Sequence, residues 1–212
     1  MKFILHRSVQ TRDDHYVCII SGDGIFSPIA KYLARNFSEK LIPTARVKAI
    51  DYFWNKQSPK KMSDDLKRYI IRRTTKNPDA RFTFIGYSFG AGTLPFALNR
   101  LPEPQQNHIK SVILIAPPAL ADFQFYFRSW FHKSSRLAQD TAPEIQYLST
   151  RLPVYYFYGV DDYIGPKDDI VPHRGLKIIP LKGGHDFDKD YTYLFEQIEQ
   201  HLGNGYFSPP AP

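Results

Sequence analysis

The stretch RFTFIGYSFGAGTLPFALNR, residues 81–100, constrains the fold of this chain more than any other part of the sequence. Arg81 to Ile85 is predicted to be a short buried strand and Ala91 to Arg100 a helix, with Pro95 in its first turn or at a kink. Between them lies the pattern G-x-S-x-G at residues 86–90. A strand, a sharp turn and a helix around this pattern are typical of a nucleophile elbow, which holds its serine, here Ser88, in a strained backbone conformation. The alternative is a glycine-rich turn with a solvated serine.

The glycines and the helix predict what surrounds Ser88. Gly86 and Gly90 leave room for the strand and the helix to approach closely. The N-terminus of the helix directs free N–H groups and a positive dipole end toward the place where an oxyanion would form.

An acid and a histidine follow two later strands, in the chain order that this kind of site uses. The apolar strand Leu152 to Tyr158 is followed by Asp161 and Asp162, and either could be the acid. The strand Leu176 to Pro180 is followed by two glycines and His185. An activated serine needs a base and a group that orients the base, and these residues supply both; no cofactor or metal is required.

A glycine-containing loop follows the early apolar strand Tyr16 to Ile20. In this position the backbone N–H of Asp23 or Gly24 is a candidate oxyanion-hole donor, paired with the N–H of Phe89. A phosphate-binding turn and a plain loop are the alternatives. The G-x-G here is not continued as G-x-G-x-x-G, which argues against a dinucleotide site.

Strands and helices alternate throughout the chain, which predicts one doubly wound α/β domain over residues 1–202, with a mostly parallel sheet, helices on both faces and little or no cap. Residues 203–212 are rich in Gly and Pro and are predicted to be a loose tail. The remaining predicted elements are an edge strand Lys2–Val9, a helix Pro28–Ser38 capped by Ser27, a strand Arg46–Ile50, a helix from Ser63 to Lys76, a strand Lys110–Ala116 and a closing helix Asp190–Leu202.

Two aromatic clusters have no assigned role. Tyr52, Phe53 and Trp54 follow a strand and either belong to the core or line a substrate pocket near the elbow. A second cluster, between Phe123 and Phe131, could form a small cap, a pocket wall or a surface helix.

Composition limits the other functions. The chain has 212 residues, a net charge of +7 and one cysteine, Cys18, so it holds no internal disulfide. No basic run marks a nucleic-acid tail, and we expect no nucleic-acid partner; an anionic phospholipid surface would suit the charge. The N-terminal apolar stretch is too short for a signal peptide, so we expect a cytoplasmic protein. The alternative is an exported protein whose signal has been removed.

Several motifs together resemble the VirJ family of bacterial virulence proteins. They are SGDG at 21–24, YFW at 52–54, GYSFGAG at 86–92, LPF at 94–96, NRLP at 99–102, YG with acids at 158–162 and GGHDFDKDY at 183–191. The resemblance implies an α/β-hydrolase fold and a triad of Ser88, Asp162 and His185, with Asp161 as the second choice of acid. Where the family has GDGGW this chain has GDGIF, and where the family has His-His this chain has His185-Asp186.

The same resemblance implies a periplasmic protein, if a signal has been removed, that hydrolyses the aminoacyl ester of phosphatidylglycerol at an anionic membrane. It also implies a link to virulence or type IV secretion, with secretion-system proteins as partners. Such a substrate carries an amine, for which Asp23, Asp51 or Asp161 is the candidate acceptor. Two alternatives remain: a non-catalytic secretion adaptor on the same fold, and a hydrolase of small soluble esters or thioesters.

Overall fold

The computed structural model describes residues 1–6, 14–22, 27–125, 137–203 and 206. The strands are β1 Ile4–His6, β2 His15–Ile20, β3 Thr44–Val47, β4 Arg81–Tyr87, β5 Ile109–Ile115, β6 Leu120–Ala121, β7 Gln139–Asp140, β8 Val154–Gly159 and β9 Leu176–Leu181. Seven of these strands form one sheet in the order β1-β3-β2-β4-β5-β8-β9, and among them only β1 is antiparallel to its neighbour. A two-stranded sheet, β6-β7, lies outside it.

Helices cover both faces of the large sheet and bury two apolar clusters against it. The helices are α1 Pro28–Glu39, α2 Ala49–Tyr52, α3 Pro59–Thr74, α4 Phe89–Asn99, α5 Glu103–Gln106, α6 Ala142–Ser149 and α7 Tyr191–Leu202, with a 3-10 helix over Phe187–Lys189. The first cluster packs α3 and α4 on one face, and the second packs α1 and α7 on the other. This is the predicted doubly wound α/β architecture, in which ligands bind at the carboxyl ends of the parallel strands.

One predicted helix start and one predicted helix cap were wrong. Helix α3 begins at Pro59, and its N-cap is Ser58, whose hydroxyl accepts from Lys61 N–H. Ser63 and Asp65 are instead buried within the helix. Helix α1 does begin at Pro28, but among the described residues the side chain of Ser27 makes no capping hydrogen bond.

Pro95 is the seventh residue of α4 and so lies beyond the first turn, which was one of the two positions that the sequence left open. Its neighbours Leu94 and Phe96 are buried in the first apolar cluster, so this helix is held by packing around the proline.

Cys18 is fully buried on β2. Burial raises the pKa of its thiol to about 12. The thiol therefore stays protonated and acts as a small apolar group.

Tyr206 is a described residue of the predicted tail. Its hydroxyl donates to Ser111 Oγ at 2.6 Å, and its carbonyl accepts from Lys110 Nζ at 2.7 Å. The division of the chain into a domain and a loose tail stays a prediction.

Candidate active site

Ser88 lies at the turn between β4 and α4 with φ 51° and ψ −118°. A positive φ at a residue with a β-carbon costs free energy and persists only where the surrounding structure enforces it. Ser88 N–H donates to Ile115 O on β5, and Ser88 O accepts from Gly92 N–H, so the sheet and the helix both fix the turn. The strained serine that the sequence predicted is present.

Two glycines permit this turn. A β-carbon on Gly86 would lie 2.5 Å from Ala91 Cα, and one on Gly90 would lie 2.3 Å from Ile20 O. Both distances are too short for any other residue. The glycines of the pattern therefore let α4 start directly against β4 and β2, as predicted.

His185 bridges Ser88 and Asp162. Its Nε2 is 2.8 Å from Ser88 Oγ, and its Nδ1 is 2.7 Å from Asp162 Oδ2. The other carboxylate oxygen, Oδ1, accepts from the N–H of Ile164 at 3.1 Å. The structure thus brings together all three residues of the predicted triad, and the hydrogen bond expected between Asp162 and His185 Nδ1 is present.

The electrostatics of Asp162 favour its ionised form. Burial raises the pKa of this carboxyl, but the hydrogen bond and charge of His185, the N–H of Ile164 and the charge of Lys167 outweigh burial and lower it overall. An ionised carboxylate only accepts, so His185 Nδ1 is the donor. In a neutral imidazole Nε2 is then an acceptor for the hydroxyl of Ser88.

Asp161, the alternative acid, is placed differently from Asp162. Its backbone N–H donates to Gly183 O at 3.0 Å, which ties the loop after β8 to the loop after β9. Its side chain is exposed, whereas Asp162 is 5% exposed.

The candidate oxyanion donors fall in two places. Phe89 is the first residue of α4, so its N–H has no acceptor within the helix. Asp23 and Gly24 lie outside the described residues. Gly22, which the sequence did not single out, abuts the site: a β-carbon there would be 3.3 Å from Ser88 Cβ.

The three aromatics after β3 separate. Phe53 is fully buried, and its ring centroid lies 4.9 Å from that of Phe89, directly after Ser88. Tyr52 donates to Asp65 at 2.7 Å. Trp54 is 55% exposed and stacks on Phe125. Phe53 is thus a core residue that supports the elbow. In the second aromatic cluster, the residues after Phe125 lie outside the described part of the chain.

The family follows from the sequence match. The profile of the family described as bacterial virulence protein (VirJ) matches residues 14–205. The chain belongs to the VirJ family. No curated protein matches this VirJ-family chain.

Solved structures share the fold of this VirJ-family chain. XC6422 from Xanthomonas campestris, described as an α/β serine hydrolase without a lid, is 18% identical, with a TM-score of 0.61 over 99% of this chain and 90% of its own. Est1E from Butyrivibrio proteoclasticus, solved with ferulic acid bound, is 11% identical, with a TM-score of 0.63 over 95% and 93%. An esterase domain from Rhodothermus marinus is 14% identical, with a TM-score of 0.61 over 93% and 90%. The chain therefore has an α/β-hydrolase fold.

Within the described ranges, no helix has both the length and the apolar character needed to cross a bilayer.

Proposed function

We propose that this protein is a serine ester hydrolase in which Ser88 is the nucleophile, His185 the base and Asp162 the orienting acid. The observation that carries the proposal is the pair of hydrogen bonds, 2.8 Å and 2.7 Å long, that links the three side chains. Nucleophile, base and orienter in this geometry define a triad on any fold.

The reaction has two halves. His185 Nε2 takes the proton of Ser88 as Oγ attacks the ester carbonyl, and Asp162 stabilises the imidazolium. His185 then gives that proton to the leaving alcohol, which leaves an acyl-Ser88 ester. Water attacks this ester in the same way, and the acid is released with Ser88 restored.

Charge develops on the carbonyl oxygen in both halves. The N–H of Phe89 and the N–H of Asp23 or Gly24 are the donors in this proposal, and one such donor contributes about 2.7–4 kcal/mol to transition-state stabilisation. The N-terminus of α4 adds its dipole at the same place.

For the substrate we propose the aminoacyl ester of phosphatidylglycerol, cleaved to the free amino acid and the phospholipid. Membership of the VirJ family supports this choice, and so does the net charge of +7, which favours an anionic bilayer. A role in virulence or type IV secretion, with secretion-system proteins as partners, belongs to the same proposal.

Asp161 is our choice among the three candidate acceptors for the amine of this substrate. Its carboxylate is exposed directly beside the buried Asp162. Asp51 is also exposed, but on α2, and Asp23 lies outside the described residues.

The test combines a probe with a substrate panel. A fluorophosphonate should label wild-type protein and leave Ser88→Ala unlabelled. Thin-layer chromatography of aminoacylated phosphatidylglycerol in mixed anionic vesicles should show loss of the aminoacyl group with wild type only. Rapid cleavage of short soluble esters with the lipid intact would replace the lipid by a small ester. No labelling and no cleavage would favour a non-catalytic adaptor.

A further inference from the structure

The net charge of the protein is concentrated on one helix and the residues at its two ends. Residues 56–76, which include α3, carry eight basic and two acidic side chains, a net charge of +6 against +7 for the whole chain. Such a concentration makes one side of the molecule strongly positive and leaves the rest nearly neutral.

The basic side chains of α3 face outward because the apolar side of the helix packs in the core. Met62, Leu66, Tyr69 and Ile70 are buried against the sheet. The opposite side carries exposed or half-exposed residues, which are Lys60, Lys61, Asp64, Lys67, Arg68, Ile71 and Arg72. We call these seven residues the outer face of α3.

Acidic side chains neutralise only part of the charge on this face. Asp64 binds Lys60 with contacts of 2.6 and 2.8 Å. Asp65 is buried, and its carboxylate accepts hydrogen bonds from Lys61, Arg68 and the hydroxyl of Tyr52. Lys67 and Arg72 are therefore surplus charges of the outer face, and Lys56 and Lys76 extend it at the two ends.

Two exposed apolar side chains accompany the charges. Ile71 is 40% exposed within the outer face, and Trp54 is 55% exposed just before the helix begins. A surface that combines Lys and Arg with Trp and an aliphatic side chain suits the headgroup level of a bilayer, where aromatic rings and basic groups both have favourable sites. A nucleic-acid surface would use the charges but not Ile71.

The helix is placed beside the candidate active site. It follows β3 and precedes β4, so it starts at the carboxyl ends of the parallel strands, where Ser88 lies. From there it runs about 24 Å toward the amino ends of the strands, at 1.5 Å per residue. At its start Gln57 N–H donates to Phe123 O, and the neighbouring Phe53 packs on Phe89.

We propose that the outer face of α3, together with Trp54 and Lys56, is the surface through which the protein docks on an anionic lipid bilayer. The partner is identified by charge complementarity and by the apolar side chains among the charges. This deepens the proposed function, on which its purpose rests, by naming the surface that would bring Ser88 to a lipid ester.

The test is vesicle co-sedimentation of the full chain. Wild type should bind vesicles of phosphatidylcholine with phosphatidylglycerol, bind phosphatidylcholine alone weakly, and be released by high salt. Lys67→Glu/Arg72→Glu should lower the affinity for the anionic vesicles at least tenfold, since each basic side chain near such a surface contributes on the order of 1 kcal/mol.

The matched control reverses two charges elsewhere. Arg174→Glu/Lys177→Glu makes the same change just before and on β9, an outer strand of the sheet, where both residues are exposed. This double variant should bind like wild type apart from a small loss from net charge. Equal losses in the two double variants would overturn the proposal. Tight binding to DNA together with no binding to anionic vesicles would overturn it too.

A tryptophan measurement adds the apolar part. On a Trp130→Phe background, the fluorescence of Trp54 should shift to shorter wavelength when anionic vesicles are added, and no shift despite binding would place the contact elsewhere. Vesicle binding requires no catalysis. Failure of hydrolysis therefore counts against the proposed function alone, and failure of the differential binding counts against the docking surface alone.

Discussion

Gly159, at the end of β8, lies so close to Gly184 that a β-carbon on Gly159 would be 2.2 Å from the carbonyl oxygen of Gly184. The loops that carry Asp162 and His185 are therefore in direct backbone contact. Two hydrogen bonds, Val160 N–H to Leu181 O and Asp161 N–H to Gly183 O, hold them in register. The 2.7 Å contact between the acid and the histidine depends on this approach.

Gly159→Ala should both unfold more easily and lose activity. The new methyl group forces the two loops apart, at a cost of about 3 kcal/mol or more because backbone must move. A displacement of about 1 Å between His185 and Asp162 should lower turnover about a hundredfold. Urea unfolding and ester hydrolysis measure the two effects. The matched control is Gly184→Ala, since nothing lies within 4 Å of a β-carbon there, and its unfolding midpoint should stay close to that of wild type.

Ser88→Ala should fold like wild type and lose hydrolysis by several orders of magnitude, as removal of a triad serine does. Its companion Ser88→Gly should be equally inactive but more stable than Ser88→Ala by about 1 kcal/mol, because glycine adopts a positive φ without strain. Calorimetry and an ester assay on both variants decide the point. Activity within tenfold of wild type in either variant would refute the role of Ser88.

Asp162→Asn should lower turnover about ten-thousandfold, because an amide that faces His185 Nδ1 no longer selects the correct tautomer. Asp161→Asn should leave hydrolysis of a short uncharged ester within a few fold of wild type. It should weaken hydrolysis of an amine-bearing ester, because the exposed carboxylate is our acceptor for the amine. The opposite ranking on the uncharged ester would make Asp161 the triad acid.

Acid should destabilise the wild type more than Asp162→Asn. The pKa of Asp162 in the folded state lies below its usual value of 3.8. A carboxyl with a lowered folded pKa contributes stability that is complete above its unfolded pKa and is lost as the pH falls through the folded one. Unfolding free energies measured from pH 6 down to pH 3 should therefore decline more steeply in wild type, and parallel curves would contradict the assignment.

Tyr156→Phe should be neutral or stabilising, by up to about 1 kcal/mol, because the buried hydroxyl has no hydrogen-bond partner within the described part of the chain. Burial raises the pKa of Tyr156, so the hydroxyl that is removed is uncharged. Tyr52→Phe is the matched change at a bonded hydroxyl. It should cost about 1–2 kcal/mol, since it removes the donor to the buried carboxylate of Asp65. Thermal unfolding of both variants should rank them in that order.

The fold and the placement of the three candidate site residues could be predicted because local signals and global architecture agree. G-x-S-x-G restricts the backbone by itself, and glycine is needed at Gly86 and Gly90 for contacts with the nearest elements. The acid and His185 follow apolar strands, whose carboxyl ends meet at one edge of a parallel sheet. The order along the chain therefore sufficed to place them together.

The start of α3 could not be predicted because two segments offer the same cap signal. Ser58-Pro59 and Ser63-Asp64-Asp65 both satisfy the preferences of a helix N-terminus. What decides is the burial of Asp65 against Tyr52, Arg68 and the N-terminal amine, which involves residues up to 64 positions away. The G-x-G pattern marked the loop that contains Gly22, but its closeness to Ser88 could not be predicted, since the two residues follow different strands.

The position of β9 has a consequence for the order in which the protein is made. Ser88 follows a central strand, whereas His185 follows β9, the strand at the far edge of the sheet, which pairs with β8. Synthesis runs from the N-terminus and a domain generally folds as a unit, so Ser88 is made well before His185, and the sheet that holds both is complete only after β9 has been made. In the proposed triad, Ser88 therefore lacks its base until the final parallel strand has been added.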